Sequence, residues 1–290
     1  MPGYLFSYSR FREELELPII QQQDEDALHR IQKMIAPFIL RRLKKDVLKD
    51  LPDKLEKNMY ARMAGEQQEL YQAHVQRLQM LLVKQSPEEF DRSKIQILSE
   101  LTKLRQLCCD PALLYENYMS GSAKLNLCLE LIQNAMESGH KMLVFSQFTT
   151  MLDRIAARLK KEHIPYFMLT GATAKQERIR LVTEFNQDET PVFLISLKAG
   201  GTGLNLTAAD IVIHYDPWWN TAVQNQATDR VHRIGQTNRV LVYKLIAQNS
   251  IEENIVKLQK QKAELAEQIL GGDNLGSPSF SREELLELLN

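Results

Sequence analysis

Five short apolar runs alternate with amphipathic stretches across residues 121–260, and this alternation limits the possible folds more than any other feature. Strands that are apolar along their whole length and alternate with helices form parallel sheets that are covered on both faces. The sequence therefore predicts an α/β fold with a central parallel sheet flanked by helices. The predicted strands are residues 141–146, 166–170, 192–196, 211–215 and 240–245, and the predicted helices between them are residues 124–137, 151–161, 174–186 and 221–231.

The chain ahead of this region reads as mainly helical. A helix is predicted from a cap at Asp24 onward, and Pro37 must kink or restart it. Pro52 opens a short extended connector, after which two helical runs are separated by a stretch that contains Pro87. A flexible linker at residues 271–278 and a short acidic helix end the sequence.

Composition narrows the class of protein. The 290 residues carry a formal net charge of -1, so any nucleic-acid binding has to come from a local basic cluster. Cys108, Cys109 and Cys128 form no C-x-x-C pair, which favours reduced thiols in an intracellular protein over a zinc site. No secretion signal is found, and no apolar run reaches the ~20 residues of a membrane helix. We expect no membrane partner and a cytoplasmic, nucleoid-associated protein in bacteria or a nuclear one in eukaryotes.

A glycine-rich turn follows the predicted strand 192–196. Glycines let backbone N–H groups approach a phosphate, and Lys198 adds a cation to the turn. A Rossmann fingerprint fails because its third glycine would fall at Leu206, and a Walker A loop fails because no glycine here precedes a lysine. A loop that contacts DNA or a nucleotide and a tight strand exit without a ligand both stay open.

Arg230 and Arg233 are three positions apart within residues 226–236, so on a helix they would share one face. Two guanidinium groups presented together suit a triphosphate, because each can donate to two phosphate oxygens. Two arginines at this spacing are common, and a solvated basic face is the alternative.

Both tryptophans of the chain, Trp218 and Trp219, follow the predicted strand 211–215 directly. Pro217 ends that strand and leaves the two rings in a loop. An exposed ring can stack on a base or lie against the nucleic-acid backbone, whereas two buried rings would only fill the core. One division of roles has Trp218 packed and Trp219 presented.

Two further features have weaker signals. Four basic residues within residues 41–45 form the densest basic run, which is suited to phosphate contact or to a solvated helix face. Residues 146–148 and 170–171 lie at the carboxyl ends of predicted strands, where open parallel sheets bind ligands.

Together, the order and spacing of these segments resemble the motors of helicase superfamily two, and within them the Swi/Snf-type family of DNA-translocating ATPases. The segment 226–236 resembles the sixth helicase motif and ends in the Arg-Ile-Gly-Gln run typical of that family. The other matching segments are residues 143–148 (fourth motif), 169–171 with 176–178 (the adjoining motif), 196–206 (fifth motif), 213–220 (its extension), and 37–42 and 51–54 (between the two motor lobes).

The resemblance implies a RecA-like lobe with a central parallel sheet, preceded by an N-terminal helical region. The implied parts are residues 1–50 (the end of the first motor lobe), 51–63 (inter-lobe connector), 64–120 (helical protrusion), 121–262 (second RecA-like lobe) and 263–290 (C-terminal linker and helix).

The family's first three motifs are not found in the sequence. No Gly-Lys-Thr or Gly-Lys-Ser triplet occurs, and the magnesium-binding acidic box is missing. We therefore expect a chain that lacks the first half of its motor and is inactive alone. ATP with Mg²⁺ is expected in the full-length protein, with the Mg²⁺ ligands outside this chain and no metal site within it.

The resemblance also assigns residues to two ligands. ATP would bind in the cleft between the lobes, with Arg230 and Arg233 as arginine fingers and Gln226, Gly203 and Asn205 at the nucleotide. Double-stranded DNA would run across both lobes. The DNA contacts implied in this chain are Ser146, Gln147, Thr170, Gly171, Lys198, Gly201, Thr202 and Trp219.

The implied partners are double-stranded DNA, the first RecA-like lobe and a protein–DNA complex that the motor remodels, with a monomer as the expected state. A non-catalytic RecA-like module that binds DNA or protein predicts the same fold, and differs only in whether a Walker A lobe precedes Met1 in the parent gene. A dinucleotide or nucleotide-sugar enzyme is disfavoured by the failed fingerprint. The biological substrate stays open among nucleosomes, RNA polymerase and other protein-bound DNA.

Overall fold

A computed structural model describes residues 4, 6–22, 24–38, 51–200, 203–270, 285, 286, 288 and 289. The chain divides into two compact units, residues 1–50 with 258–277 and residues 51–257 with 278–290. The basic run at residues 41–45, the loop residues Gly201 and Thr202, and the linker 271–278 lie outside the described residues.

In the first unit, short helices surround a small apolar cluster. Asp24 begins the third of them as predicted, since its Oδ1 accepts from the backbone N of Asp26 at 2.9 Å and of Ala27 at 3.1 Å. The cluster consists of Leu15, Ile19, Ala27 and Ile31. The elements are α1 (Tyr8–Phe11), a π-helical turn (Arg12–Glu16), α2 (Leu17–Gln22), α3 (Glu25–Ile35) and a 3₁₀ turn (Ala36–Phe38).

The second unit is built on a six-stranded sheet in the order β1-β6-β5-β2-β4-β3, with every pair parallel. All five predicted strands are present, which confirms the parallel α/β fold. The strands are β1 (Lys54–Ala61), β2 (Met142–Ser146), β3 (Tyr166–Leu169), β4 (Val192–Ser196), β5 (Ile211–His214) and β6 (Val240–Ala247).

Helices connect and cover these strands. They are α4 (Gly65–Lys84), α5 (Pro87–Cys109), α6 (Ala123–Glu137), α7 (Thr149–Lys161), α8 (Lys175–Gln187), α9 (Leu197–Gly200), α10 (Thr221–Thr228) and α11 (Ile251–Leu270), with a 3₁₀ turn at Pro111–Leu113. No helix among the described residues has both the length and the apolar character needed to cross a membrane.

The sheet is buried on both faces because alternate side chains of its central strands enter two separate cores. Val144 of β2 packs in the core that α6 and α7 cover, and Phe145 packs in the core that α8 and α10 cover. Successive residues of a strand point to opposite faces, so a strand between two helical layers has to be apolar throughout. This is why the runs in the sequence are continuous and do not alternate with polar residues.

The segment predicted as an extended connector is a strand of the sheet. β1 pairs with β6 along its whole length, from Lys54 opposite Val240 to Ala61 opposite Ala247. It is an edge strand with mostly exposed side chains, so its sequence lacks the apolar run that marks the other five.

The predicted helical pair, α4 and α5, packs around a third apolar cluster. Ser86 and Glu89 form a capping box at the start of α5, where Glu89 N donates to Ser86 Oγ and Ser86 N donates to Glu89 Oε2. The cluster also includes Ile251 and Ile255 of α11 and Leu285 and Leu288 near the end of the chain.

Candidate functional site

Polar residues follow four neighbouring strands at their carboxyl ends. Ser146 at the end of β2 is in register with Ser196 at the end of β4. Because parallel strands end at the same side of a sheet, the segments that follow β2, β3, β4 and β5 form one surface, which we call the carboxyl edge. The predicted DNA-contacting residues that are described all follow these strands: Ser146, Gln147, Thr170, Gly171, Lys198 and Trp219.

A buried carboxylate organises the centre of the carboxyl edge. Asp216 accepts from Ser146 Oγ at 2.5 Å and from the backbone N of Gln147 at 3.2 Å, so it joins the ends of β2 and β5. Burial raises the pKa of Asp216, against the opposing charges of Arg105 and Lys124. Ser146 is 1% exposed and its hydroxyl is used inside the protein, so direct DNA contact by Ser146 stays a prediction.

Among the described residues of the carboxyl edge, two buried polar atoms have no hydrogen-bond partner: Nε2 of Gln147 and Oγ of Ser196. Leaving such an atom unsatisfied costs about 1–3 kcal/mol. They lie at the ends of the paired strands β2 and β4. Both groups can donate, so an acceptor at this edge would satisfy them.

The loop after β3 is held by its own side chains. The backbone N of Thr170 donates to Thr173 Oγ1 at 3.0 Å, and Thr170 Oγ1 accepts from Ala172 N at 3.3 Å. Gly171 is exposed, and the space where a Cβ would lie is open. The loop therefore presents its main chain to solvent.

Lys198 lies on the short helix α9, directly after β4. It is exposed, while its neighbours Leu197 and Ala199 are buried in the sheet core. The turn is thus anchored by apolar side chains on both sides of a cation that points to solvent.

The glycine-rich segment continues into a loop that α8 supports. Gly203 is exposed with a φ of +44°, a conformation that glycine adopts readily. Asn186 donates from Nδ2 to the Asn205 carbonyl at 2.8 Å and accepts from the Ala208 N at 3.2 Å. These contacts fix the path of the loop, and the Asn205 side chain stays exposed.

The arginine segment, which we define as residues 229–236, is not helical. The helix predicted over residues 221–231 ends at Thr228, and turns follow, so the prediction that Arg230 and Arg233 share one helical face is wrong. The main chain turns toward the glycine-rich loop, where the Arg230 carbonyl accepts from Leu206 N at 3.1 Å. Arg230 is half-buried and makes contacts within the protein, whereas Arg233 is exposed, as is Gln226 on α10.

Side-chain contacts hold the end of this segment against the amino ends of the strands. Gln236 Nε2 donates to the carbonyl of Ala209 at 2.7 Å, just ahead of β5. His232 Nε2 lies 2.8 Å from the carbonyl of Pro52, just ahead of β1. The segment that carries the predicted arginine fingers therefore ends at the side of the sheet opposite to the carboxyl edge.

Residues that the sequence analysis missed surround the tryptophan loop, which we define as residues 216–220. Arg105 of α5 is 3% exposed, and its Nη2 donates to the Pro217 carbonyl at 2.6 Å. Its guanidinium carbon lies 5.2 Å from the ring centre of Trp218 and 5.8 Å from that of Trp219. Both rings are half-buried, in different cores, so neither is fully presented. An arginine between Leu104 and Leu107 on an amphipathic helix was the only sequence signal.

A buried ion pair lies beneath the loop. Lys124 Nζ is 2.8 Å from both carboxylate oxygens of Glu252, and both side chains are fully buried. Lys124 also lies 5.0 Å from the ring centre of Tyr215. Burial opposes ionisation of Lys124, but the Glu252 carboxylate outweighs it and raises the pKa of Lys124 to about 12. The pair thus joins α6 to the start of α11 as charged groups.

No group of three or more His, Cys, Asp or Glu side chains within the described part of the chain has the arrangement of a metal site. The three cysteines are buried and unpaired, and burial raises the pKa of Cys128 to about 12. They therefore act as small apolar residues in the core.

The sequence matches two known domain families. Residues 1–113 match the SNF2-related domain, and residues 123–235 match the helicase conserved C-terminal domain. The putative ATP-dependent helicase/translocase YwqA of Bacillus subtilis is 40% identical over 299 residues, which cover 99% of this chain and 32% of that protein. The chain thus spans about a third of the length of this curated relative.

Solved structures agree with these matches. The C-terminal domain of a SWI2/SNF2 ATPase of Sulfolobus solfataricus superimposes with a TM-score of 0.65 at 33% identity, over 81% of this chain and 98% of that one. A SWI2/SNF2 ATPase core of Sulfolobus solfataricus in complex with double-stranded DNA gives a TM-score of 0.64 at 37% identity, over 93% of this chain and 57% of that one. The chain therefore belongs to the SWI2/SNF2 family of ATP-dependent helicases, and its sheet is that of a RecA-like ATPase lobe.

Proposed function

We propose that this chain is the second lobe of a DNA-dependent ATPase that translocates on double-stranded DNA and remodels protein–DNA complexes. In this proposal it supplies the arginine fingers and one part of the DNA track. The observation that carries the proposal is the separation of two polar segments on one sheet, the carboxyl edge and the arginine segment. A motor needs one surface for DNA and another for the nucleotide, so that closure on ATP can move the DNA.

The carboxyl edge has the properties of a phosphate-binding surface. It combines the exposed cation of Lys198 with the accessible main chain at Gly171, and the unsatisfied Nε2 of Gln147 is buried beside them. Such groups bind the DNA backbone without reading bases. We propose that Ser146 acts indirectly, through the Asp216 contacts that hold Gln147, and that Trp219 lies beside the track.

The arginine segment has the properties of a nucleotide contact completed by a second lobe. Arg233 is exposed, and Arg230 is fixed beside Leu206 of the glycine-rich loop. Gln226, Gly203 and Asn205 are exposed, as nucleotide contacts must be. We propose that ATP and Mg²⁺ are held mainly by the first lobe. Hydrolysis by this chain alone is then not expected.

The first experiment is a fluorescence-anisotropy titration of this chain with short double-stranded DNA over a range of salt. Lys198→Ala should weaken binding and lower the slope of log affinity against log salt by about 0.9, since one phosphate contact is lost. Trp219→Ala should weaken binding without changing that slope, because an indole neutralises no phosphate. Lys160→Ala, an exposed lysine in the last turn of α7, is the matched control. A Lys198→Ala slope equal to that of wild type would remove Lys198 from the track.

The second experiment uses the full-length protein. Arg230→Ala and Arg233→Ala should each reduce DNA-stimulated ATP hydrolysis by about a hundredfold or more, with little change in DNA affinity. Arg158→Ala is the control, since Arg158 of α7 pairs with Glu162 just past the end of that helix and belongs to neither segment. Unchanged turnover in both variants would exclude the arginine-finger role, whereas a wild-type protein without DNA-stimulated hydrolysis would favour a non-catalytic DNA-binding module.

A further inference from the structure

We propose that Arg105 positions the tryptophan loop for DNA binding, so that α5 sets the shape of the DNA track from within the protein. This inference rests on the proposed function, because it concerns the same carboxyl edge. Arg105 is a positioning residue here: it is buried and acts through Trp218 and Trp219.

The guanidinium lies among aromatic rings from two different loops. Its carbon is 5.6 Å from the ring centre of Phe148, which follows β2, as well as 5.2 Å from Trp218 and 5.8 Å from Trp219, which follow β5. These distances are within the range of about 6 Å for cation–π attraction. One side chain of α5 therefore fixes the relative position of two segments of the carboxyl edge.

The hydrogen bonds of Arg105 favour a positioning role over simple charge neutralisation. Its Nη2 is 2.6 Å from the Pro217 carbonyl but 3.5 Å from Asp216 Oδ2. Asp216 already accepts from Ser146 and from Gln147. The tighter contact of Arg105 is therefore with the main chain directly ahead of the two tryptophans.

Loss of these contacts should loosen both rings and the Pro217 carbonyl, although each ring keeps its apolar neighbours. A mobile side chain has to be ordered when DNA binds, which weakens affinity without removing any contact. Lysine would keep the charge of Arg105 but lose the planar guanidinium group, which stacks on aromatic rings and donates to two acceptors at once. Arg105→Lys should therefore weaken DNA binding although a cation is retained.

The test measures fluorescence and DNA binding on the same variants of this chain. The two tryptophans of this chain both lie beside Arg105, so quenching by acrylamide reports directly on the loop. We expect Arg105→Lys and Arg105→Gln to increase quenching and to weaken binding of short double-stranded DNA by about tenfold. The salt slope should stay that of wild type, because a buried arginine neutralises no phosphate. Arg154→Lys is the matched control, an arginine of α7 paired with Asp110 at 2.6 Å.

A double-mutant cycle with Trp219→Ala distinguishes positioning from general loss of stability. If Arg105 acts through Trp219, Arg105→Lys has little further effect on DNA affinity once Trp219 is alanine. Additive losses would overturn the inference, as would a salt slope lowered by about 0.9, which would indicate direct phosphate contact. Arg105→Lys carries the test if Arg105→Gln fails to fold, and circular dichroism checks the fold of each variant.

The two proposals can fail separately. Wild-type chain that binds no DNA at low salt would overturn both the DNA track and this inference. Wild-type chain that binds DNA and weakens with Trp219→Ala, but not with Arg105→Lys, would overturn the positioning role alone.

Discussion

Replacing Lys124 with methionine tests the buried ion pair beneath the tryptophan loop. Methionine has nearly the length of lysine and fills the same space without a charge. In the variant, Glu252 loses the ammonium that lies 2.8 Å from both of its oxygens. Among the described residues, it keeps the backbone N of Ala247, at 2.8 Å, as its donor. A fully buried carboxylate would then have no compensating cation.

The size of the effect follows from this geometry. Breaking a buried pair by removing one partner costs about 3–5 kcal/mol, whereas replacing both partners with uncharged groups costs far less. We expect Lys124→Met to lower the free energy of unfolding by about 3–5 kcal/mol. In Lys124→Met/Glu252→Gln, the glutamine carbonyl can still accept from Ala247 N, and we expect a loss of only about 1–2 kcal/mol.

Urea unfolding followed by far-UV circular dichroism measures both values. Lys160→Met, on the exposed end of α7, is the control and should change stability by less than about 0.5 kcal/mol.

The pH dependence gives a second signature. An unpaired buried Glu252 has a raised pKa, so the free-energy cost of burying its charge is smallest at low pH and grows as pH rises through that pKa. The difference in unfolding free energy between Lys124→Met and wild type should therefore narrow as pH falls. A loss under about 1 kcal/mol, or a double variant no more stable than the single, would refute the reasoning.

Two further predictions concern a buried histidine and a helix cap. Burial, with the charge of Lys244, lowers the pKa of His214 to about 3, against 6.5 for a free histidine, so the unfolded chain takes up a proton that the native chain excludes. The stability that a neutral His214 contributes is complete above pH 6.5 and is lost as pH falls toward the folded pKa. The free energy of unfolding of wild type should therefore fall by about 1.4 kcal/mol more than that of His214→Gln between about pH 7.5 and 5.5. Equal slopes of urea stability against pH in the two proteins would contradict this. Ser86→Ala should cost about 1 kcal/mol by removing the capping box of α5, while Thr102→Ala at an exposed position of that helix should not destabilise the chain. Equal urea midpoints for the Ser86 variant and wild type would exclude the cap as a stabilising contact.

The sheet was predictable where burial leaves a simple pattern in the sequence. Strands β2 to β6 are recognisable because covering by helices on both faces makes nearly every position apolar, with Lys244 of β6 as an exception beside the edge strand β1. Helix boundaries were also close, as with α6, predicted at residues 124–137 and found at Ala123–Glu137. β1 had no such signal, because an edge strand needs only its main chain to pair with β6.

The site was harder to predict because its decisive contacts join distant parts of the sequence. Arg105 meets Asp216 and Pro217 across more than a hundred positions, and in the sequence each looks like an ordinary helix or strand-end residue. A tertiary contact also accompanies the early end of α10, because the Arg230 carbonyl accepts from the backbone N of Leu206, in a loop that precedes the helix. Local spacing identified which segments matter, but not how tertiary contacts shape them.

The pairing of β1 with β6 also determines how this unit bears mechanical tension. The two strands run in the same direction and are paired over their full length. A pull on the leading end of β1 against the trailing end of β6 slides one strand along the other and loads all their interstrand bonds at once. A peeling force would instead break those bonds one after another. The segment that leads into the sheet is therefore fastened in a shear geometry, which resists tension better than a peeling geometry does.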